Sequence, residues 1–312
     1  RSQTVTGVQT CALPISFGDE PVSFAAASPE RDELIYGRDE GGNERTQLYR
    51  VDASGADGIQ LTDAPDAKHR WGGWSHDGER FAFASNRRDS RVFDIYVQGR
   101  DEEEPRLVCE TDGWYSVVGW LPGDSALVLR EARSNFDHDI YTVDADGGEP
   151  ERVTDADRAT RYRSVNPSPD GEALYISTDE GSDTLYLGRL DLSTGDVETV
   201  VDGGDRNVSG VSVDDETGRV VYGRNVEGYT DLRTARIEEG DLRELPTPDL
   251  PEGVVARHTT RLLQRRYVDL LSQGVPREQI DEQLTRLQAE ATEQARDDLK
   301  LSFILGKAAD EA

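Results

Sequence analysis

A repeat of about 46 residues constrains the fold of this chain more than any other feature. Each copy opens with a turn rich in serine, proline, aspartate or glycine. The five turns are Ser28-Pro29, Ser75-His76-Asp77-Gly78, Leu121-Pro122-Gly123-Asp124, Ser168-Pro169-Asp170-Gly171 and Val213-Asp214-Asp215-Glu216-Thr217-Gly218. Two further signals recur in step, a strand centre such as Asp94-Ile95-Tyr96 and a hairpin turn such as Ser193-Thr194-Gly195. Three signals in register indicate one structural unit that is used repeatedly.

The best-formed copy lies between Ser168 and Val201. It contains three strand-like runs, Ala173 to Ser177, Thr184 to Asp191 and Val197 to Val201, with turn residues between them. Turns this closely spaced leave no room for a helix. The period is typical of a four-stranded propeller blade. The predicted fold class is therefore mainly β, a partial β-propeller of about five four-stranded antiparallel blades over residues 17–248, followed by an α-helical hairpin.

The apolar period changes from strand-like to helical after a breaker-rich junction at residues 249–253. Over residues 254–312 we predict two amphipathic helices, with Gly274 ending the first and Pro276 beginning the second. Two helices alone bury little surface, so their apolar stripe must meet a partner. The candidate residues for binding an unfolded client are Leu263, Tyr267, Leu270, Leu284, Leu287 and Phe303.

The acidic charge is concentrated in the repeats. Residues 253–312 carry nine basic and ten acidic residues, so nearly all of the net charge of -28 belongs to residues 1–252, where Lys68 is the single lysine. Two interpretations stay open: a surface suited to very high salt, or an ordinary acidic solvated surface. Both argue against a nucleic-acid partner. The absence of a long apolar run argues against a membrane partner, and we expect a cytoplasmic protein.

Aromatic and arginine side chains are predicted to line the propeller channel, because the first strand of each blade faces it. These positions hold His69, Arg70, Trp71, Trp114, Tyr115, Arg161, Tyr162, Arg163 and Arg206. In an acidic protein such side chains are candidates to hold a peptide carboxylate or backbone. The alternative is structural: Trp71, Trp74, Trp114 and Trp120 pack between blades, and the arginines pair with local aspartates.

The sequence lacks the motif of a serine hydrolase. A nucleophile elbow needs G-x-S-x-G, because small flanking residues permit the strained turn that exposes the serine. The segments around Ser75 and Ser212 have aspartate, Asp77 and Asp214, in place of the second glycine. His76 beside Ser75 and Asp77 cannot form a catalytic relay, because neighbours on one turn cannot reach the required geometry. We therefore predict no catalytic residues.

The sequence also predicts no metal and no cofactor. His138 lies between two aspartates but has no second His or Cys ligand at a suitable spacing, which favours a solvated turn. Asp144 and Asp146 lack the remaining ligands of a calcium loop, which favours a hairpin turn. Cys109 is expected to be a buried apolar residue rather than a reactive thiol.

The blade signatures S-P-D-G-E and L-Y-x-x-D, together with the segment Asp39 to Tyr49, resemble the propeller domain of prolyl oligopeptidase family serine peptidases. In that family the propeller caps an α/β-hydrolase domain and limits its access to oligopeptides. The resemblance implies a substrate-gating, peptide-binding fragment whose parent is a serine-type peptidase with a hydrolase domain that is missing here. The propeller of the Tol translocation system shares the blade signature, so a protein-interaction propeller is the alternative.

The two ends of the chain carry further resemblances. Arg261 to Ile280 and Ala295 to Ala309 resemble the C-terminal domain of trigger factor, which implies contacts with unfolded polypeptide. Val5 to Ser16 resembles a translated sequencing adapter, so we expect residues 1–16 to be a disordered artefact of metagenomic assembly. The change of composition near Leu250 to Val255 favours an artificial join of two sequences, a chimera, over a natural fusion.

Overall fold

The computed structural model describes residues 20–52, 58–226, 229–238, 241–244, 252–272 and 277–310, and its strands form five four-stranded sheets. Blade 1 consists of β1 Val22–Ala27, β2 Glu33–Arg38, β3 Gln47–Asp52 and β4 Ile59–Gln60. Blade 2 consists of β5 His69–Trp74, β6 Arg80–Ser85, β7 Asp94–Gly99 and β8 Arg106–Cys109. Blade 3 consists of β9 Tyr115–Trp120, β10 Ala126–Ser134, β11 Asp137–Asp144 and β12 Glu151–Arg152.

Blade 4 consists of β13 Tyr162–Pro167, β14 Ala173–Thr178, β15 Tyr186–Asp191 and β16 Val197–Val201. Blade 5 consists of β17 Val208–Asp214, β18 Arg219–Val226, β19 Tyr229–Glu238 and β20 Asp241–Glu244. Each sheet follows chain order, so every connection joins neighbouring strands. The predicted fold class is confirmed, and the three runs predicted after Ser168 correspond to β14, β15 and β16.

The recurring turn is held by its own serine and aspartate. In blade 2 the Ser75 hydroxyl donates to Asp77, 2.6 Å away, and accepts the backbone N–H of Arg80 at 2.9 Å. Ser168 and Asp170 repeat this arrangement in blade 4. Gly78 has a φ of 64°, in the left-handed region that favours glycine. The S-x-D-G pattern therefore closes the hairpin between the first and second strands.

The described residues divide into two compact units, with the boundary inside blade 4. The first unit runs to Ser182 and includes Gly188–Glu198; the second comprises Asp183–Leu187 and the described residues from Thr199 onward. Within the first unit, apolar cores lie between consecutive blades: Leu48 with Phe81, Val97 with Leu127, and Val128 with Leu174. Apolar residues on the strands of each blade thus find partners on the next blade.

The first strands of blades 2 and 3 approach closely because Gly72 lacks a side chain. A Cβ atom at Gly72 would lie 2.5 Å from the Cβ of Val117. Two tryptophans at equivalent positions connect successive blades: the indole of Trp74 donates to the carbonyl of Ala26 at 3.3 Å, and that of Trp120 donates to Gly73 at 3.1 Å. These two tryptophans fit the structural alternative, because they link one blade to the preceding one.

The second unit contains blade 5 and the helical tail. The helices are α1 Glu252–Ser272, α2 Arg277–Glu282 and α3 Leu284–Asp310. Helix α1 begins at Glu252 rather than at 254, and a turn at Gln283 separates α2 from α3, so the predicted second helix is two. Gly274 and Pro276 lie outside the described residues. Helix α3 contacts both α1 and β19, and none of the described helices is long and apolar enough to cross a membrane.

Candidate functional site

Four of the channel residues predicted from the sequence are packed into the blades. His69 and Tyr162 are buried, and Tyr115 is 6% exposed. The Tyr162 hydroxyl donates to Glu180 at 2.6 Å. Trp71 stacks between Phe24 and Phe81, with ring centroids 5.8 and 5.9 Å apart. His69, Trp71, Tyr115 and Tyr162 therefore pack against other residues of the blades.

His69 is held in its neutral form by burial. One ring nitrogen, Nδ1, lies 2.9 Å from the carbonyl of Thr46, and Nε2 lies 3.1 Å from a guanidinium nitrogen of Arg87. Burial is the main cause that lowers the pKa of His69 to about 4, and the Arg87 charge acts in the same direction. A neutral ring is required for Nε2 to accept from Arg87 while Nδ1 donates to Thr46.

Two of the predicted arginines have acidic neighbours. The Arg161 side chain donates to Asp179 at 2.7 Å, and its backbone N–H donates to the same carboxylate. Arg206 belongs to the second unit, where its guanidinium lies 3.9 Å from Asp205 and its side chain is 47% exposed. Local aspartates therefore balance the charges of both, and neither is the strongest candidate to bind an anion.

Arg70 and Trp114 form a partly open cation–aromatic group at the first strand of blade 2. The Arg70 guanidinium carbon lies 4.0 Å from the ring centroid of Phe93 and 4.9 Å from that of Trp114. Phe93 is buried, whereas Trp114 is 52% exposed and meets Phe93 edge-on at 5.7 Å. The structural alternative predicted that Trp114 packs between blades, but about half of its surface remains available to a ligand.

Arg130, on the second strand of blade 3, is a further residue of the candidate site. It was not predicted from the sequence. It pairs with Ser116 of β9, the first strand of its blade. Its Nε atom is buried and has no hydrogen-bond partner. Arg163 of β13 is exposed and donates to the carbonyl of Asn135 at 3.1 Å. The signal that could have found Arg130 is a charged residue directly after the apolar run Ala126 to Leu129.

Arg70, Arg130 and Arg163 are named here the arginine cluster, because the charge of Arg130 acts on Arg70 and the charge of Arg163 acts on Arg130. Burial lowers the pKa of Arg70, and the charge of Arg130 lowers it further. Burial likewise lowers the pKa of Arg130, and Arg163 adds to the effect. In the described part of the chain no carboxylate forms an ion pair with any of the three. The cluster thus concentrates positive charge in an acidic protein.

Ser75 and His76, considered above for catalysis, and His138, considered for metal binding, make contacts within and between blades. The ring of His76 bonds to Asp124 of the next blade at 2.6 Å, while Ser75 bonds to Asp77. The prediction that His138 lies on a solvated turn is wrong: the residue is buried in β11, and its ring accepts the backbone N–H of Tyr162 at 3.2 Å. Burial of the blade 3–blade 4 contact, which the local sequence does not reveal, accounts for the difference.

Two further predictions concern loops and metals. Asp144 and Asp146 form the predicted hairpin turn, where the Asp146 N–H donates to the Asp144 carboxylate at 2.7 Å. Cys109 is buried, as expected, and burial raises its thiol pKa to about 12. Over the residues that the structure describes, no group of three or more His, Cys, Asp or Glu side chains is arranged to hold a metal ion.

The helices bury only some of the apolar residues that were predicted to bind an unfolded client. Leu287 is buried, Leu263, Tyr267 and Leu270 are half-buried, and Leu284 is 39% exposed. The side chain of Phe303 lies outside the described residues. A cleft of about 250 Å³ between α1 and α3 is lined mainly by polar residues, among them Arg265, Asp269 and Glu290. A polar cleft is a weak match for the apolar contacts expected with an unfolded client.

Comparison with known proteins places these residues on a known fold. No family model matches the chain. Dipeptidyl aminopeptidase BIII of Pseudoxanthomonas mexicana is 28% identical over 204 residues, which cover 62% of this chain and 28% of that enzyme. The chain thus spans little more than a quarter of the length of this curated relative.

Three solved structures share the architecture. The putative TolB from Agrobacterium tumefaciens has a TM-score of 0.54 and 20% identity, covering 74% of this chain and 82% of its own. A prolyl endopeptidase has a TM-score of 0.58 and 14% identity, with coverages of 74% and 36%. The β-propeller domain of the trilobed protease from Pyrococcus furiosus has a TM-score of 0.54 and 16% identity, with coverages of 73% and 71%. The fold is that of propeller blades. These likenesses concern the fold alone.

Proposed function

We propose that this chain is the non-catalytic, peptide-binding propeller segment of a prolyl oligopeptidase-like serine peptidase. The observation that carries the proposal is the 28% identity over 204 residues to a dipeptidyl aminopeptidase. The fold likeness to a prolyl endopeptidase is consistent with it. Since the sequence contains no G-x-S-x-G motif, hydrolysis in this proposal belongs to a hydrolase domain of a longer parent protein.

The first strands of blades 2 to 4 supply the groups that a peptide needs. A bound peptide requires donors for its carbonyl and carboxylate oxygens and an apolar surface for its side chains. Arg70 and Arg163 carry guanidinium donors on β5 and β13, both of which contact β9. The half-exposed ring of Trp114 supplies the apolar surface. In this proposal the face positions an oligopeptide and takes no part in bond cleavage.

Titration calorimetry on the full chain with a proline-containing octapeptide tests the proposal. We expect saturable binding that Trp114→Ala weakens about fivefold, the effect of losing an aromatic contact worth roughly 1 kcal/mol. The matched control is Ile59→Ala, which removes another exposed apolar side chain from β4 and should leave the affinity unchanged. Absence of binding would contradict the proposal. So would hydrolysis of a chromogenic peptide by the purified chain, for which we expect no turnover.

A Tol-type protein-interaction propeller is the second candidate, and one observation favours it. The match covers 82% of the putative TolB chain but only 36% of the prolyl endopeptidase chain. The two candidates predict different sequences downstream of the repeats in the natural gene. If the helical tail is an artificial join, sequencing of the source DNA beyond the codon for Pro248 would find a hydrolase domain in the peptidase case and a stop codon in the Tol case.

Client binding by the tail is a separate proposal that rests on the resemblance of the helices to trigger factor. Its physical support is the exposure of Val268 and Leu284, at 61% and 39%. We expect the full chain to suppress aggregation of a chemically unfolded substrate, measured by light scattering. The double variant Val268→Ser with Leu284→Ser should lose this effect, and equal suppression by the variant would dispose of the proposal.

A further inference from the structure

The arginine cluster carries an electrostatic cost that the folded chain itself does not relieve. Among the described residues, Arg88, Arg100 and Arg161 each donate to a carboxylate at 2.6 to 2.7 Å. Arg70 and Arg130 have no such counter-charge, although both are half-buried. A desolvated charge without a partner destabilises a protein, so its presence calls for a compensating interaction.

Within the described part of the chain, Arg130 lacks a hydrogen-bond acceptor for its Nε–H as well as a counter-charge. Its Nε–H is buried without an acceptor, next to a first strand whose Ser116 hydroxyl already donates to the Arg130 carbonyl at 3.4 Å. Arg163 has one guanidinium nitrogen on the carbonyl of Asn135 and is otherwise exposed. Arg130 on the second strand of blade 3 and Arg163 on the first strand of blade 4 therefore both keep guanidinium donors that no carboxylate among the described residues occupies.

Arg70 completes the cluster from β5, the first strand of blade 2, which contacts β9. Its guanidinium is fixed over the Phe93 ring rather than drawn to a carboxylate, and the exposed Trp114 ring lies on the same group. Stacking leaves the in-plane N–H donors of an arginine directed outward. A planar anion with two oxygen acceptors matches such donors better than a neutral amide does, since charge-assisted hydrogen bonds are roughly twice as strong as neutral ones.

We propose that Arg70, Arg130 and Arg163 form a recognition site for a peptide carboxylate on the first-strand face of blades 2 to 4. This inference rests on the proposed function and makes it narrower: peptides that carry a carboxylate at this point are selected over neutral ones. The carboxylate comes either from the peptide C-terminus or from an acidic side chain. The chemistry is the same in both cases.

Calorimetry with four hexapeptides of otherwise equal sequence separates these sources. The first has a free C-terminal carboxylate, the second is amidated, the third is amidated and contains one glutamate, and the fourth is amidated with glutamine in its place. We expect the first, the third or both to bind the full chain about tenfold or more tightly than the neutral peptides, the effect of one charge-assisted hydrogen bond.

Substitutions then assign the preference to the cluster. Arg130→Gln should abolish the preference for carboxylate, while its thermal midpoint stays level or rises because a buried unpaired charge is removed. Arg163→Gln, at an exposed position, should have the same effect on binding and guards against misfolding of the first variant. The control is Arg91→Gln, which changes an 85% exposed arginine paired with Asp89.

The outcomes distinguish the two proposals. If all four peptides bind equally, the carboxylate site is wrong and the peptide-binding function stands. If the preference survives in both Arg130→Gln and Arg163→Gln, carboxylate recognition lies elsewhere and the assignment to the cluster is overturned. If none of the peptides binds, the peptide-binding function fails and the carboxylate site fails with it.

Discussion

The buried imidazole of His69 makes part of the folding stability depend on pH. Its pKa of about 4 in the folded chain lies below the ordinary value of 6.5, so between these values the unfolded chain binds more protons. This contribution to stability is fully present above pH 6.5 and is lost as the pH falls toward 4. The pKa of His138 is also lowered by burial, which adds in the same direction.

We predict that His69→Gln flattens the acid dependence of stability. Up to about 3 kcal/mol of the wild-type free energy of unfolding should be lost between pH 7 and pH 4 through this one group. Glutamine does not titrate and keeps an amide near Thr46. Urea unfolding at several pH values checks the prediction. Equal losses in the wild type and the variant would contradict the assignment of a neutral buried His69.

The sequence alone predicted only some of the residues in the candidate binding site. The sequence gives the residue type and the strand position, and on that basis Arg70, Trp114 and Arg163 were predicted. It does not show which neighbouring side chain accepts a hydrogen bond. For that reason Arg161 was grouped with them although Asp179 neutralises it, and Arg130 was missed because it lies on a second strand. Pairing between strands decides both cases.

At the scale of the blade, a carboxylate at the start of the third strand organises the outer hairpin. Asp139 of β11 is buried and accepts from the Thr154 hydroxyl at 2.7 Å and from Arg152 at 2.9 Å. In blade 2, Asp94 accepts the backbone N–H of Thr111 at 2.8 Å. The D-I-Y signal in the sequence is therefore a structural contact between the third strand and the segment next to the fourth. The period was predictable because this contact recurs.

We predict that Asp139→Ala destabilises the chain by about 2–4 kcal/mol, because it leaves Arg133, Arg152 and the buried Thr154 hydroxyl without their shared acceptor. Asp155→Ala serves as the matched control, since this fully exposed carboxylate lies 3.9 Å from Arg152 and its loss should leave stability nearly unchanged. Chemical unfolding midpoints measure both. Similar effects of the two substitutions would contradict the role of Asp139.

Asp124 connects neighbouring blades and has a φ of 57°. Its carboxylate accepts the backbone N–H groups of His76 and Asp77 at 2.9 and 3.2 Å. Asp124→Gly keeps a backbone that tolerates this φ but removes the acceptor, so we predict a loss of about 1–3 kcal/mol in unfolding free energy. Asp124→Asn retains an acceptor oxygen and an acceptable φ and should lose less. A glycine variant as stable as the wild type would contradict the inter-blade role.

At the scale of the whole chain, the repeat period was sufficient to predict five blades, because each blade buries its apolar strands against neighbours of the same kind. The helical tail was predictable from its apolar period, but the break at Gln283 was not, since no glycine or proline marks it. Function depends on more than the repeat. The same blades occur in a putative TolB and in a prolyl endopeptidase, so the fold alone does not choose between them.

Hydrogen–deuterium exchange of the full chain with and without a saturating carboxylate-bearing oligopeptide tests the central claim most directly. The account predicts slower exchange on peptide addition in residues 69–71, 113–116 and 161–163, with no change in the outer strands β4, β8 and β12. Protection confined to the helices at residues 252–310, or to outer strands, would contradict a peptide-binding face on the first strands of blades 2 to 4.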